Sequence, residues 1–157
     1  MNEAVCEKNR AATRRRLVGD DSGAAAVEFG LIAPALLLIL LSIIQFGITM
    51  NNYMELTDAV RVGGRTFSIS GTTSTPLTTA TSAIDAAAPN LTAAHITLTF
   101  KVNGTTCATD TACQTALQAD AGETATIIAT YPCTLAVMGN NFAPSCTLTS
   151  QTTDMVE

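Results

Sequence analysis

"SGAAAVEFGLIAPALLLILLSIIQFGITM", Ser22 to Met50, decides the fold, because it reads as one long apolar helix. Between Glu28 and Glu55 lie 26 residues without a formal charge. At ~1.5 Å per residue they make ~39 Å of helix, against ~30 Å for the hydrocarbon core of a bilayer, so the segment is long enough to span with tilt. Gly30 and Pro34 do not count against this, since both residue types are tolerated in membrane helices. The anomaly is Glu28 at the front edge, with Gly23 five residues before it. An ionised carboxylate at the hydrocarbon edge costs on the order of a few kcal/mol unless it finds a partner, so Glu28 needs a cation.

The rest of the 157-residue chain is 47% hydrophobic overall but only 4% aromatic and 13% charged, which leaves few large anchors for a core. Eight Lys and Arg stand against thirteen Asp and Glu, a net charge of -5. Their placement is uneven: Lys8, Arg10, Arg14, Arg15 and Arg16 precede the apolar run, and only Arg61, Arg65 and Lys101 follow it. With no second basic patch and no aromatic stacking platform, this cluster does not make a nucleic-acid binder. The positive-inside rule instead puts residues 1 to about 23 in the cytoplasm and the remainder outside. A secretory signal of the ordinary kind would be cut after the apolar stretch, near Gln45 to Thr49; this stretch is too long for one and runs on into "NNYMELTDAVRVGGRTFSISG", so the membrane segment is expected to stay.

A cut directly after Gly23 would supply the missing cation. It creates an α-amino group on Ala24, four residues and so about one helical turn from Glu28. In an assembly of parallel helices the amine of one subunit can meet the carboxylate of its neighbour. A basic leader, Gly23, four small or apolar residues, then Glu28 and Phe29 ahead of a membrane helix resemble the signal of type IV pilin-like proteins. The resemblance implies cleavage by a prepilin peptidase between Gly23 and Ala24, on the cytoplasmic face, and an assembly role for Glu28 and Phe29.

Within that group the chain most resembles the TadE-like minor pilins, or pseudopilins, of tight-adherence (Flp-type) pilus systems. The segments that carry the likeness are "AAAVEFGLIAPALLLILLSIIQFG", "ATIIATYPCTL" and the closing "CTLTSQTTDMVE", the first being the most specific. Major Flp pilins are much shorter after cleavage and usually show Glu-Tyr. Here a cut after Gly23 leaves 134 of the 157 residues, beginning at Ala24 and carrying Glu28-Phe29, which favours a minor subunit.

Past Met50, Tyr53, Leu56, Val60 and Phe67 fall at helical spacing, with Asp58 and Arg61 placed to pair one turn apart. This amphipathic stalk is expected to weaken at Gly63-Gly64, and its apolar side can cover either a filament neighbour or the chain's own domain. Gly71 to Thr75 reads as a loop, Thr75 as an N-cap before Pro76, and Pro76 to Ala88 as a short second helix stopped by Pro89. "HITLTFKVNG" alternates as a strand, with Ile96, Leu98, Phe100 and Val102 on one face and a turn at Asn103-Gly104. "ETATIIATYPCTL" and "CTLTSQTTDMVE" read as two more strands, with Pro132 at an edge or strand end. The fold class is thus α+β: a long N-terminal transmembrane and stalk helix, a short second helix and a small antiparallel β-sheet. The chain divides into a cytoplasmic prepilin leader over 1–23, a transmembrane and stalk helix over 24–70, and an exported domain over 71–157.

Five cysteines divide as Cys6 in the leader and Cys107, Cys113, Cys133 and Cys146 on the exported side. Four in a small exported domain suggest two disulfides, for which three pairings exist. The local one, Cys107 with Cys113 and Cys133 with Cys146, closes a loop between strands in each case; free thiols or a zinc site are the alternatives, although Cys-x5-Cys lacks the usual short zinc spacing. No Cys-x-x-Cys points to redox activity. His95 is the single histidine, and no nucleophile elbow, zinc-protease or phosphate-loop pattern occurs. Asp20 and Asp21 belong to the leader, and Asp110, Asp120 and Glu123 read as solvated loop residues, so the sequence offers no catalytic residue, metal site or cofactor.

The resemblance therefore implies a minor pilin in the bacterial inner membrane, single-pass, N-terminus cytoplasmic, that supports or primes an adhesive Flp-type pilus. Its partners are prepilin peptidase, other pilins or pseudopilins, the inner-membrane pilus platform and membrane lipid. The competing reading is a membrane-anchored envelope binding protein that never enters a filament.

Overall fold

The computed structural model describes residues 21–137, 139–141 and 143–157, which form two compact units, one up to Ser42 and the other from Ile43 to Glu157. Helix α1, Asp21–Ser68, belongs to both. In the first unit it is solvent-facing along its length: Val27, Phe29, Leu31, Ile32, Leu36 and Leu40 are all exposed by half or more. Pro34 lies inside the helix without ending it. The Ser42 hydroxyl donates to the Leu38 carbonyl at 2.7 Å, so this polar group needs no water where the chain is apolar.

The second unit holds the rest of α1 with helices α2, Pro76–Ala87, and α3, Asp110–Ala119, and six strands. Strands β1 (Thr97–Val102), β2 (Thr105–Cys107), β3 (Thr124–Pro132) and β6 (Thr147–Met155) form an antiparallel sheet in the order β2-β1-β3-β6. Strands β4 (Ala136–Val137) and β5 (Asn140–Asn141) make a separate two-residue ladder. The stripe expected in the stalk turns onto this domain: Leu56, Val60 and Phe67 are fully buried, against Ile84 of α2, Leu117 of α3 and Phe100, Val102 and Ile127 of the sheet. The rings of Phe67 and Phe100 stand 5.0 Å apart. Burying each of these large side chains is worth about 1.5–3 kcal/mol, so the stalk is the domain's central core element.

Gly63-Gly64 does not weaken the helix, which continues unbroken to Ser68. The reason is steric. A Cβ on Gly63 would collide with the side chain of Ile84, and one on Gly64 with Thr152 and Asp154 of β6. The two glycines give up helix propensity so that α2 and β6 can approach the α1 backbone.

The β1 strand alternates as expected, Phe100 and Val102 being buried, and the Asn103-Gly104 turn has φ of 48° and 76°, the left-handed pair that a two-residue hairpin demands. Pro132 ends a central strand. Because the Asn103 amide donates to the Thr124 carbonyl, even-numbered residues of β3 direct their backbone towards β1. β1 starts at Thr97, opposite Thr130, so the N–H that Pro132 lacks would point past its end.

Helix α3 was not expected from the sequence. Asp110, read above as a loop residue, is its first residue, and Thr109 caps it by accepting from the Ala112 amide at 3.2 Å. At α2 the correction runs the other way. Thr75 occupies the N-cap position but its side chain caps nothing; its hydroxyl stands 3.4 Å from that of Thr79. The cap comes from Asp110, which accepts from the Thr78 amide at 2.9 Å and from the Thr78 hydroxyl at 2.6 Å.

Candidate functional site

Two groups of residues carried functional expectations, one on a single helix and the other spread over β2, α3 and the segment between β3 and β6. Gly23, Ala24, Glu28 and Phe29 lie on the opening turns of α1, all exposed. Ala24 and Glu28 are four residues apart on one helix, so they share a face one turn apart. Nothing stands within 4 Å of where a Gly23 Cβ would be. Phe29 is 72% exposed. Among the described residues Glu28 has neither an ion-pair nor a hydrogen-bond partner, the one salt bridge there being the exposed Asp58–Arg61 pair at 3.5 Å. The leader residues Cys6, Lys8, Arg10, Arg14, Arg15 and Arg16 lie outside the described residues, as does Asp20; Asp21 opens α1.

This helix is long and apolar enough to cross a membrane, by length and composition. Its large side chains from Val27 to Ile44 face outward, and a surface of that extent requires either lipid or other apolar helices.

The second group is the cysteines. Cys107 meets Cys113 with Cα atoms 5.1 Å apart, and Cys133 meets Cys146 at 5.2 Å, both at disulfide distance. The second pair closes the segment between β3 and β6, where the Cys133 amide also donates to the Cys146 carbonyl at 3.1 Å. The first does not link two strands, as expected from the sequence, but ties the end of β2 to α3.

Two carboxylates to which the sequence reading gave no such role each bridge two segments of the domain. Asp110 joins α3 to α2, and the Thr78 hydroxyl, then its amide, hold the Asp110 carboxyl below its ordinary value of 3.8 by favouring the charged form. Glu55, the residue that closes the uncharged run, accepts from the Asn90 amide at 2.8 Å and from the Asn90 side-chain amide at 3.1 Å. Thr109 followed by Asp110 was the one sequence signal for the first arrangement, an N-cap with an acid in the first turn. No local signal exists for the second, because its partners are 35 residues apart.

His95 ends a short 3-10 turn, Ala93–His95, and its ring lies 6.5 Å from that of Tyr131. Among the described residues no three His, Cys, Asp or Glu come together as metal ligands.

No curated protein and no solved structure matches the chain. Residues 23–65 match the family of TadE-like proteins, a span that opens at Gly23 and closes within the buried part of α1. The likeness read in the C-terminal segments of the sequence falls outside it. Over the helix that carries Gly23, Ala24, Glu28 and Phe29 the chain is similar to TadE-like proteins.

Proposed function

We propose that the protein is a minor pilin, or pseudopilin, of a tight-adherence pilus, made as a precursor and cut by prepilin peptidase between Gly23 and Ala24. The observation that carries this is Glu28: an exposed carboxylate without a partner among the described residues, one turn from Ala24, at the head of an apolar helix that is TadE-like. Cleavage gives Ala24 an ammonium group, and in a bundle of parallel helices that ammonium neutralises the Glu28 of the next subunit. The pairing favours subunits at one axial offset, since a buried carboxylate left alone is costly. Phe29 and the apolar face below it supply contacts with lipid before assembly and with other pilins afterwards.

In this reading residues 1–23 are the cytoplasmic leader, α1 crosses the inner membrane once, and the domain from residue 71 onwards lies outside. There Cys107–Cys113 and Cys133–Cys146 form disulfides after export, because the cytoplasm keeps thiols reduced. The partners are prepilin peptidase, the inner-membrane platform and the other pilins. Mass spectrometry of the protein expressed with its peptidase tests the proposal: the mature chain begins at Ala24. A chain that keeps Arg14 to Arg16, or one that begins beyond Gly47, rules it out.

A further inference from the structure

The second unit has a crevice beside the last turns of the uncharged run of α1. Gln45, Thr49 and Asn52 line it from the helix, and His95, Tyr131 and Thr134 from the sheet side. All six belong to the unit that begins at Ile43. Its volume is about 290 Å³, against ~30 Å³ for one water in the liquid, so it has room for a small ligand group.

The lining is unlike the rest of the domain. From residue 71 onwards six Asp and Glu stand against Lys101 alone, yet none of those acids lines the crevice. Glu55, three residues beyond Asn52 on α1, has both carboxylate oxygens engaged by Asn90. Among the described residues the side chains of Gln45, Asn52, His95, Tyr131 and Thr134 spend no hydrogen bond on the protein; Thr49 donates its hydroxyl to the Gln45 carbonyl at 3.0 Å. The crevice thus offers amide, hydroxyl and imidazole hydrogens and no negative charge, which is the chemistry that holds a phosphate oxygen.

The same stretch of α1 points to the source of that phosphate. Ile43, Phe46 and Ile48 are exposed by half or more, and apolar side chains so placed belong in lipid. Asn51 and Asn52 follow them, and Tyr53 and Tyr131 are of the residue type that gathers at a membrane surface. Counted along the unbroken helix, a ~30 Å hydrocarbon core that starts at Glu28 ends about 20 residues later, at Ile48. The stretch from Gln45 to Asn52 therefore lies at the depth where every glycerophospholipid carries its phosphate, just outside the acyl chains.

We propose that this crevice binds the phosphate group of a phospholipid in the leaflet on the domain's side of the bilayer; the depth rests on the reading in which α1 crosses the membrane. Gln45 and Asn52 donate to the phosphate from the helix, and Tyr131, His95 and Thr134 from the sheet side. Uncharged donors suffice, because the anchor keeps the crevice among headgroups, where the effective concentration of ligand is high.

The test uses the full chain purified in dodecyl maltoside and depleted of lipid, with dihexanoylphosphatidylglycerol as the probe and native mass spectrometry as the readout. Tyr131→Phe and Asn52→Ala are each expected to weaken binding about tenfold, as for roughly one lost hydrogen bond to a charged acceptor. Tyr131→Phe keeps the ring and Asn52→Ala removes no hydrogen bond of the domain, so the urea midpoint and the cysteine pairing are expected to stay those of the parent. Gln151→Ala, outside the crevice, is expected to bind like the parent. Dihexanoylglycerol, which lacks the phosphate, is expected to bind at least tenfold more weakly, and inorganic phosphate is expected not to displace the lipid at equal concentration. Undiminished binding by both crevice variants overturns the proposal, and so does dihexanoylglycerol that binds as tightly as the phospholipid. Inorganic phosphate that displaces the lipid at equal concentration overturns the assignment to lipid. Carbonate extraction of membranes from cells that make the chain reports separately on the anchor: a chain released by carbonate defeats the spanning reading, and a retained chain whose crevice variants bind lipid like the parent defeats this one.

Discussion

Asp110 caps a helix that it does not belong to. Its two carboxylate oxygens take the amide and the hydroxyl of Thr78, 32 residues away, so that the first residue of α3 completes the first turn of α2. The bonds favour the ionised form, so the folded protein holds the Asp110 carboxyl below its ordinary value of 3.8. For a depressed carboxylate the stabilisation is fully present above that ordinary value and is lost as pH falls through the lower folded value. Asp110→Asn is therefore expected to lower the urea midpoint of the detergent-solubilised protein at pH 7, and the gap from the parent is expected to close in acid. A gap independent of pH would show that Asp110 acts by shape alone.

Gly63→Ala tests whether close approach or helix propensity governs α1. On an exposed helix the change gains about 1 kcal/mol. Here the new methyl group collides with Ile84, so overpacking dominates and the expected result is a loss of about 1–3 kcal/mol. The double variant with Ile84→Val is expected to recover part of it. A more stable Gly63→Ala protein in urea unfolding would mean that α2 moves aside freely.

If Cys133 and Cys146 are bonded, their closed loop of 14 residues is worth ~3 kcal/mol by loop-closure entropy, a large share of a small domain's margin of about 5 kcal/mol. Peptide mapping without reduction is expected to yield Cys107–Cys113 and Cys133–Cys146 peptides. Replacing Cys133 and Cys146 together by Ser is expected to lower the unfolding free energy by that amount. Four thiols open to alkylation in the folded protein would dismiss both bonds.

On the pilin reading proposed above, Glu28→Ala is expected to separate assembly from everything else. Membrane insertion is not expected to suffer, since removing a charge makes the segment easier to bury. Leader removal and cysteine pairing are expected to persist. Crosslinking to other pilins through cysteines introduced at Phe29 or Leu36 is expected to collapse, together with piliation. A variant that crosslinks and piliates like its parent would leave Glu28 as an interfacial residue only.

Helices α1 and α2, strands β1, β3 and β6 and the Asn103-Gly104 turn were legible in the sequence because each depends on neighbours within one turn or one alternation, whereas the short strands β2, β4 and β5 were not expected. Leu56, Val60 and Phe67 declared a stripe, and Phe100 and Val102 declared a face. Helix α3 was not legible: in "DTACQTALQA" only Cys113 and Leu117 are buried, too few to show a period. Gly63-Gly64 was misread because propensity is a local property, whereas Ile84, Thr152 and Asp154 reach those glycines from far along the chain. The candidate residues divide in the same way by the range of the signal that names them. Gly23, Ala24 and Glu28 could be picked out by spacing on one helix, but the roles of Glu55 and Asp110 depend on partners 35 and 32 residues away.

The cysteine pairs close over separations of 6 and 13 residues, and they do not interleave. On the topology proposed above, with the chain exported from the α1 end onward, this sets an order of events. Cys107 and Cys113 emerge, and the pair is complete before Cys133 appears; Cys133 then waits only for Cys146. An oxidant that joins thiols in order of arrival makes both correct bonds and has no wrong bond to undo. Secretion of the native domain is accordingly expected to depend on a thiol oxidase and to be indifferent to the loss of a disulfide isomerase.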